Sequence, residues 1–403
     1  MPHGIRMQSF LKRFFVEPVP EAAGELRLMK VLYFSLFVGT GIFFTFSNVY
    51  YRHIGLSGTQ IGLISTMAPL VSVFSAVLWG FLADRTGNTR RLFAIATGGA
   101  ALMALSLMFT SDFLTILAII AVFSVFNSAI MPQLDTTIMH VLGSQSGHYG
   151  LYRMWGTIGF IVTSAIGGPI FERIGLINLF PSYALALGTL LLLGGRALPN
   201  QASRIQTPLL SGLREIIRQP AWVMFALSTY LLSAASNGMS NFLGVTIKEM
   251  GGPDGLVGIT WTIGAATEIP FLLYSAALLQ RLGPGRLLPV SFAFFALRIF
   301  LFGVMPTPEW APLVNLLHGP SFGLWWFSSV ALARNMAPEK LKATAQGLFV
   351  SVISLAGMTG SLASGWMFDH LGYRMLFFVL ASASVAAAGL YLLGARTRQA
   401  QPE

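Results

Sequence analysis

Gly80-Phe81-Leu82-Ala83-Asp84-Arg85-Thr86-Gly87 is an octet that returns three more times along the chain. The pattern is a small residue, three apolar or small residues, a polar residue, a basic residue, one more, then Gly. The other copies are Gly168-Pro169-Ile170-Phe171-Glu172-Arg173-Ile174-Gly175, Ala276-Ala277-Leu278-Leu279-Gln280-Arg281-Leu282-Gly283 and Gly365-Trp366-Met367-Phe368-Asp369-His370-Leu371-Gly372. The first and third copies are 196 residues apart, the second and fourth 197. The chain is therefore a tandem of two halves of about 195 residues. The small residues let two helices approach closely. The acid at a helix end can meet a neighbouring helix N-terminus or a loop Arg. The Gly ends the helix. Such an octet is a latch that can be made and broken.

The composition places these halves in lipid. Of 403 residues, 54% are apolar and only 10% charged, well below the roughly 25% charge of a soluble domain. Disorder is excluded by this hydrophobicity, and the absence of Cys excludes a disulfide scaffold or a cysteine zinc cluster. Apolar runs of spanning length fall at 29–49, 59–82, 92–110, 113–134, 153–171, 177–197, 220–243, 255–280, 287–305, 310–333, 344–367 and 373–394. The sequence predicts an all-α polytopic membrane protein with twelve transmembrane helices in two pseudo-symmetric six-helix bundles. The divisions are an N-terminal bundle over 1–197, a cytoplasmic linker over 198–219 and a C-terminal bundle over 220–403.

The net charge of +10 comes from 25 Lys and Arg against 15 Asp and Glu. With both termini in the cytoplasm, 19 of the 25 basic residues lie on the cytoplasmic side. Arg52, Arg173, Lys248 and Arg374 lie outside, and Arg153 and Arg298 fall within spans. The positive-inside rule selects that orientation in an inner (plasma) membrane. The basic residues are dispersed over short loops with no interleaved aromatic face, which excludes a nucleic-acid partner. No cleavable signal peptide is expected. Phe10-Leu11-Lys12-Arg13-Phe14-Phe15-Val16 reads as a short interfacial helix against membrane lipid, and Leu209–Ile217 as a short amphipathic helix in the linker.

Octets within one half close runs at opposite membrane faces, which is the nested inverted repeat of a secondary transporter. Gly80, Asp84, Arg85 and Gly87, followed by Asn88, Thr89, Arg90 and Arg91, resemble the loop 2–3 signature of the major facilitator superfamily. With the half repeat and twelve runs, the resemblance covers essentially the whole chain. The conformational latch is assigned to Gly80, Asp84, Arg85, Gly87, Arg90, Arg91, Glu172, Gln280 and Asp369.

Ionisable groups inside a membrane are costly and mark function. Asp135, Arg153, Glu268, Arg298 and His318 are such groups, drawn from both halves and summing to zero with His neutral. A polar cavity between the halves is the simplest arrangement that keeps each one paired or hydrated. Each has a plainer reading. Asp135 at a helix end can be cytoplasmic, Arg153 can anchor a helix start by snorkelling, and His318 can be a satisfied core residue. Glu268 has less excuse, because it falls near the middle of its run.

Pro132-Gln133-Leu134-Asp135 through Tyr149-Gly150-Leu151-Tyr152-Arg153-Met154-Trp155-Gly156 resembles the span 4–5 signature of the lactose permease-like branch. That branch holds proton–oligosaccharide symporters and relatives carrying nucleosides or phenylpropionate. The resemblance implies that Asp135 and Arg153 flank the substrate and that Phe160 stands where an aromatic stacks on the sugar ring. It also implies that Glu268 contacts both sugar and coupling network, and that Arg298 and His318 are the span 9 Arg and span 10 His. The chain departs from the sugar symporters at Ser321 and Asn315, which stand where those have a Glu and a Lys. Ser236, Asn237, Ser240 and Asn241 carry no charge where span 7 of those proteins has paired acids.

The reading is a secondary active transporter of a small polar solute, foremost a sugar, working by alternating access with proton symport. It is not an enzyme. No HExxH, Gly-x-Ser-x-Gly or Walker A motif occurs, and no metal or cofactor is expected beyond protons as coupling ion. Glu268, with Asp135, is assigned to proton coupling. Asn48, Asn237 and Asn241 are candidates to complete the substrate cavity, with helix–helix hydrogen bonds as the alternative. A monomer is expected. The rival readings are a drug or hydrophobic-compound exporter, a nucleoside or aromatic-acid carrier, and a non-transporting membrane binding protein.

Overall fold

The structure, a computed structural model, describes residue 19, residues 22–197 and residues 213–399. The interfacial helix expected at Phe10–Val16 lies outside the described residues, as do 198–212 of the linker. Of the linker helix expected over Leu209–Ile217, the part Leu213–Ile217 is described and is helical.

The described residues contain helices and no strand. In the N-terminal half these are α1 (Ala23–His53), α2 (Gly58–Thr86), α3 (Thr89–Ser106), α4 (Phe113–Leu142), α5 (Tyr149–Ile174) and α6 (Leu179–Ala197). The C-terminal half has α7 (Pro220–Glu249), α8 (Asp254–Leu273, continued by Ser275–Leu282) and α9 (Pro284–Val304). Next comes α10, built in pieces: Ala311–Val314, a tight turn at Asn315–Leu317, a π-helical turn at Gly319–Gly323, then Leu324–Asn335. The last helical run, Lys342–Gln399, is broken by non-helical backbone at Gly372 into α11 and α12. Among the described residues, 9 stretches are long and apolar enough to cross a membrane, the last of them being 57 residues, enough for two crossings. The order is consistent with twelve crossings.

The helix boundaries have local causes. The Ser57 side chain accepts from the Gln60 N–H while the Gln60 side chain accepts from the Ser57 N–H, a capping box that starts α2. Asp112 caps α4 through the Thr115 N–H at 2.9 Å. The octet glycines end their helices as expected. Gly87, Gly175, Gly283 and Gly372 all have positive φ, between 60° and 92°, where a side chain would be strained.

α4 extends to Leu142, past the apolar run that closes at 134, so Asp135 sits inside the helix. α10 departs furthest from the expected uninterrupted helix. Its π turn begins one residue after His318, and π turns often accompany functional sites.

Two faces can be named by their residues. α1 ends and α2 begins at the Arg52 face, whereas α2 ends at the opposite, Arg85 face. The hydrogen bonds Asn48–Asn241, Arg52–Glu249, Gly58–Asp369, Thr66–Met358 and Thr262–Ile161 cross between the halves. Thr262–Ile161 lies at mid-helix on the Ile161 side, and the other four are made by the parts of their helices nearer the Arg52 face. Backbones also touch there. A Cβ on Gly168 would fall 2.4 Å from the Asp254 carbonyl oxygen, and one on Gly62 would fall 2.5 Å from that of Ser361. The halves are fastened together at the Arg52 face.

Candidate functional site

Two of the four octets supply that fastening. Asp369, in the fourth copy, accepts the backbone N–H of Gly58 at 2.6 Å and that of Thr59 at 2.7 Å, as well as the Thr59 hydroxyl at 2.7 Å. The carboxylate therefore sits on the positive N-terminus of α2, where unpaired N–H groups and the helix dipole favour an anion. In the second copy the contact is made by Gly168 against the Asp254 backbone, while Glu172 is exposed beside the start of α8, with Oε2 3.8 Å from where a Gly255 Cβ would be and, among the described residues, no hydrogen bond or ion pair of its own. In the other two copies Arg85 and Gln280 are exposed. Arg91 is exposed too, its N–H donating to Asn88 Oδ1, and Gly80 is buried. The Asp84 side chain lies outside the described set.

The intramembrane ionisable residues gather in two places. In the C-terminal half, Arg298 is completely buried on α9. Its guanidinium donates to His318 Nδ1 at 2.5 Å and to Met239 Sδ at 3.4 Å, and stands 5.1 Å from the Phe295 ring centre. An Arg has only donors, so Nδ1 of His318 must accept. His318 is then the neutral tautomer with its proton on Nε2. That nitrogen lies 3.7 Å from Glu268 Oε2, an approach slightly too long for a hydrogen bond. Arg298, His318 and Glu268 form a line from a buried cation to a carboxylate whose side chain is still 20% exposed. α8 and α10 come close enough for this because a Cβ at Gly319 would strike the Thr267 carbonyl oxygen at 2.1 Å. Asn315, fully buried, ties the pair by donating to the Thr260 carbonyl at 2.7 Å.

In the N-terminal half, Asp135 and Arg153 are near one another in sequence order but differently partnered. Asp135 Oδ1 accepts two phenol hydroxyls, from Tyr33 at 2.6 Å and Tyr149 at 2.9 Å. The Arg153 guanidinium lies over the Phe37 ring, 4.1 Å from its centre. Among the described residues no ion pair joins Asp135 to Arg153.

A cavity of about 500 Å³ lies between the halves, enclosed by α1, α2, α4, α6, α7 and α11. Its polar lining is amide and hydroxyl: Asn48, Asn127, Asn237 and Asn241, with serines on α1, α2, α4 and α11. Phe43, Phe44 and Phe123 supply apolar walls. No Asp, Glu, Lys, Arg or His lines it. Asn48 Nδ2 donates to the Asn241 carbonyl at 3.1 Å, and Asn241 Nδ2 donates to Ser361 Oγ at 2.8 Å. These asparagines thus face the cavity and bond between helices at once. Asn237 donates to the Ser233 carbonyl at 2.8 Å and lines the cavity. Phe160 packs on Phe44 at 6.1 Å between ring centres, and Phe44 meets Trp261 of the other half at 4.9 Å.

Sequence reasoning passed over Tyr33, Phe37, Tyr149 and Ser361. The first two were hidden as ordinary aromatics of an apolar run, although their spacing of four residues puts them on one face of α1. The second octet pair pointed to Asp369 but not to its receptor, because a helix N-terminus presents backbone and leaves no side-chain signature.

Helices of spanning length, a two-half architecture fastened at one face and a polar cavity on the interface define a membrane transporter of the major facilitator type. The chain belongs to the MFS_1 like family, whose model matches residues 26–379. It is 27% identical over 387 residues to a maltose permease of Geobacillus stearothermophilus, covering 95% of this chain and 98% of the permease. It is 25% identical over 377 residues to a probable 3-phenylpropionic acid transporter of Escherichia coli (strain K12), covering 90% of this chain and 96% of that one. The crystal structure of the nucleoside transporter NupG superposes with a TM-score of 0.81 at 19% identity, over 92% of this chain and 98% of NupG. The family and these relatives are transporters, so the chain is a transporter and not an enzyme.

Proposed function

We propose that the chain is a secondary carrier that moves a small uncharged polar solute, foremost a sugar, across an inner membrane by proton-coupled alternating access. The observation that carries this reading is the amide- and hydroxyl-lined cavity of about 500 Å³ between the halves. Its volume falls in the usual range for small-molecule sites. Asparagine side chains offer both donors and acceptors, which suits hydroxyl groups. A carboxylate there would be desolvated without a counter-charge, at a cost of several kcal/mol. A hydrophobic export substrate would cover the donors and acceptors that these amides do not already spend within the protein, at about 1–3 kcal/mol for each one buried unpaired.

With the termini in the cytoplasm, the Arg52 face is extracellular and the state described here is the one closed to the outside. Residues 29–197 and 220–394 would rock against each other as two bodies. Closing the Arg85 face would require the first and third octets to pack across the halves as Gly168 and Asp369 of the second and fourth do at the other face. Glu268 is the proposed proton carrier, with His318 and Arg298 behind it. With Nδ1 of His318 turned to the Arg298 guanidinium, Glu268 is the one acid of the three and stands nearest the exposed end of the line. The carrier acts as a monomer, since the cavity is built within one chain, and needs no cofactor beyond protons.

A second reading has its own observation. Among the described residues no hydrogen-bond acceptor is assigned to the Arg153 guanidinium, and a fork of N–H donors suits a carboxylate. An aromatic-acid carrier would use Arg153 as anchor. Equilibrium binding to the purified chain separates the two, using tritiated maltose, uridine and 3-phenylpropionate. The sugar reading expects maltose to bind and 3-phenylpropionate to fail as competitor. Binding of 3-phenylpropionate alone, abolished by Arg153→Gln, would overturn it.

A further inference from the structure

Tyr183, on α6, reaches the cavity between the halves past a gap that Gly39 leaves in α1. A Cβ at Gly39 would lie 3.1 Å from Tyr183 Cε2. The phenol ring is gripped by two phenylalanines that also line the cavity. Phe43 stands 5.2 Å from it between ring centres and Phe123 5.7 Å, and these two stack on each other at 5.2 Å. Held this way, Tyr183 is buried, and its hydroxyl donates to Asn127 Oδ1 on α4 at 3.0 Å.

That bond decides which end of the amide a solute meets. An Asn side chain turned over about its last bond keeps its shape and exchanges an acceptor for two donors. A buried phenol needs an acceptor for its proton, and Asn127 Oδ1 is the one it has among the described residues. The overturned amide would leave that proton unpaired. Oδ1 therefore faces Tyr183, and Nδ2 is left for the cavity that Asn127 lines. The other asparagines of the lining are engaged differently. Nδ2 of Asn48, Asn237 and Asn241 donates to the Asn241 carbonyl, the Ser233 carbonyl and Ser361 Oγ in turn. Among the described residues no such acceptor is assigned to Asn127 Nδ2, so both of its hydrogens face the cavity unengaged. Oδ1 of Asn48 and of Asn237 likewise receives no hydrogen among the described residues. The α4 wall thus offers a donor where the α1 and α7 walls offer acceptors.

We propose that Asn127 is a specificity-determining residue of the carrier and that Tyr183 is its positioning residue. The phenol fixes the amide so that Nδ2 bonds an acceptor oxygen of an uncharged solute lying against Phe43 and Phe123. This rests on the carrier reading given above. A donor fixed before the solute arrives spares the cost of ordering it on binding. A sugar would supply a hydroxyl or ring oxygen, and a nucleoside a base carbonyl.

The test uses the full-length purified chain, with tritiated maltose and tritiated uridine as separate probes and thermal unfolding midpoints as a substrate-free readout. Binding of one probe names the source of the oxygen. Asn127→Leu is expected to weaken that binding at least about tenfold, because the solute oxygen is buried without a donor. Tyr183→Phe keeps the ring between Phe43 and Phe123 and should weaken it about two- to tenfold. For both variants the exchange KM rises while the saturated rate falls less. Tyr183→Phe should have no further effect in an Asn127→Leu background, because it acts through the amide. Unchanged binding in Asn127→Leu, or an undiminished Tyr183→Phe penalty in that background, would overturn the proposal. Where Asn127→Leu folds poorly with its phenol unpaired, the double variant Tyr183→Phe/Asn127→Leu removes both partners. It must bind more weakly than Tyr183→Phe alone, and equal binding overturns the donor role. If the wild-type chain binds neither probe, the carrier reading fails by itself. The midpoints then decide the positioning claim. Changes from Tyr183→Phe and Asn127→Leu must be non-additive, because each removes the same bond, and additive changes overturn it.

Discussion

Asp369 and Gly58 are 311 residues apart in the chain, and the carboxylate of one accepts the backbone N–H of the other at 2.6 Å. One residue from the last octet thus closes the helix that ends in the first. The bond joins the halves at the face where their other contacts gather. Asp369 is as exposed as the nearby Arg52–Glu249 pair, but its carboxylate accepts from two backbone N–H groups and a hydroxyl where that pair makes one contact. Exposed ion pairs contribute about 0–1 kcal/mol and are screened by salt. At an exposed helix N-terminus a carboxylate contributes about 0.3–1 kcal/mol through the dipole, to which its charge-assisted bonds to two N–H groups add.

Asp369→Asn should therefore release the Arg52 face more than Arg52→Gln does. The chain has no cysteine, so spin labels can be placed at Ile177→Cys and Trp310→Cys, on either side of that face. Asp369→Asn is expected to shift the label distance distribution towards the separated population by about 3- to 30-fold, the range for 0.7–2 kcal/mol. Arg52→Gln should shift it less than about fivefold. The reverse order would place the main latch at the exposed pair.

Gly168→Val tests the same face by bulk instead of charge. Its first side-chain carbon would lie 2.4 Å from the Asp254 carbonyl oxygen and 2.6 Å from Gly255 Cα, both backbone atoms that cannot turn aside. The variant should fold, because the clash exists only while the halves are closed there. It should label readily at Ile177→Cys with a membrane-impermeant maleimide and lose at least about tenfold of exchange rate. Normal exchange would mean that the backbone contact is dispensable.

Asn241→Ala removes the donor to Ser361 and the acceptor for one of the bonds from Asn48, whose Nδ2 also reaches Asn241 Oδ1 at 3.4 Å. A solute bonded to that amide through one donor and one acceptor would lose about 0.5–1.5 kcal/mol for each, which predicts a rise in uptake KM of about 5- to 160-fold. Saturated uptake rate should fall less. An unchanged KM would place the solute outside this cavity.

Glu268→Gln keeps the shape of the side chain and removes its titration. Exchange of solute across proteoliposomes should continue within about threefold, while accumulation driven by a proton gradient is lost. Arg298→Gln should impair both, since it strips the bond that orients His318 towards Glu268. Accumulation by Glu268→Gln equal to wild type would remove Glu268 from the coupling step.

The fold was legible because lipid imposes a simple code. Runs of about 20 apolar residues mark crossings, and the octet glycines at 87, 175, 283 and 372 mark ends that the backbone confirms with positive φ. Glu268, Arg298 and His318 stood out because charge inside an apolar run is costly, and the structure places the three together. The π turn at Gly319–Gly323 was not legible, since no periodicity in Gly-Pro-Ser-Phe-Gly distinguishes it from a plain helix. Tyr33 and Phe37 were equally silent. An aromatic in a membrane helix looks the same from its sequence whether it faces lipid, a neighbour or a carboxylate. The gathering of Asn48, Asn237 and Asn241 with serines from α2 and α4 required the tertiary fold, because those serines are commonplace in helices that bond to their own carbonyls, as Ser72 does to Pro69.

The proposed carrier drives an uncharged solute uphill with protons. Purified chain in proteoliposomes, given tritiated maltose with and without an inward proton gradient, tests it most directly. Maltose should accumulate above the outside concentration, lose that gradient on adding a protonophore and meet no competition from 3-phenylpropionate. Flux of 3-phenylpropionate in place of maltose, or gradient-driven release of hydrophobic dyes without maltose uptake, would contradict it.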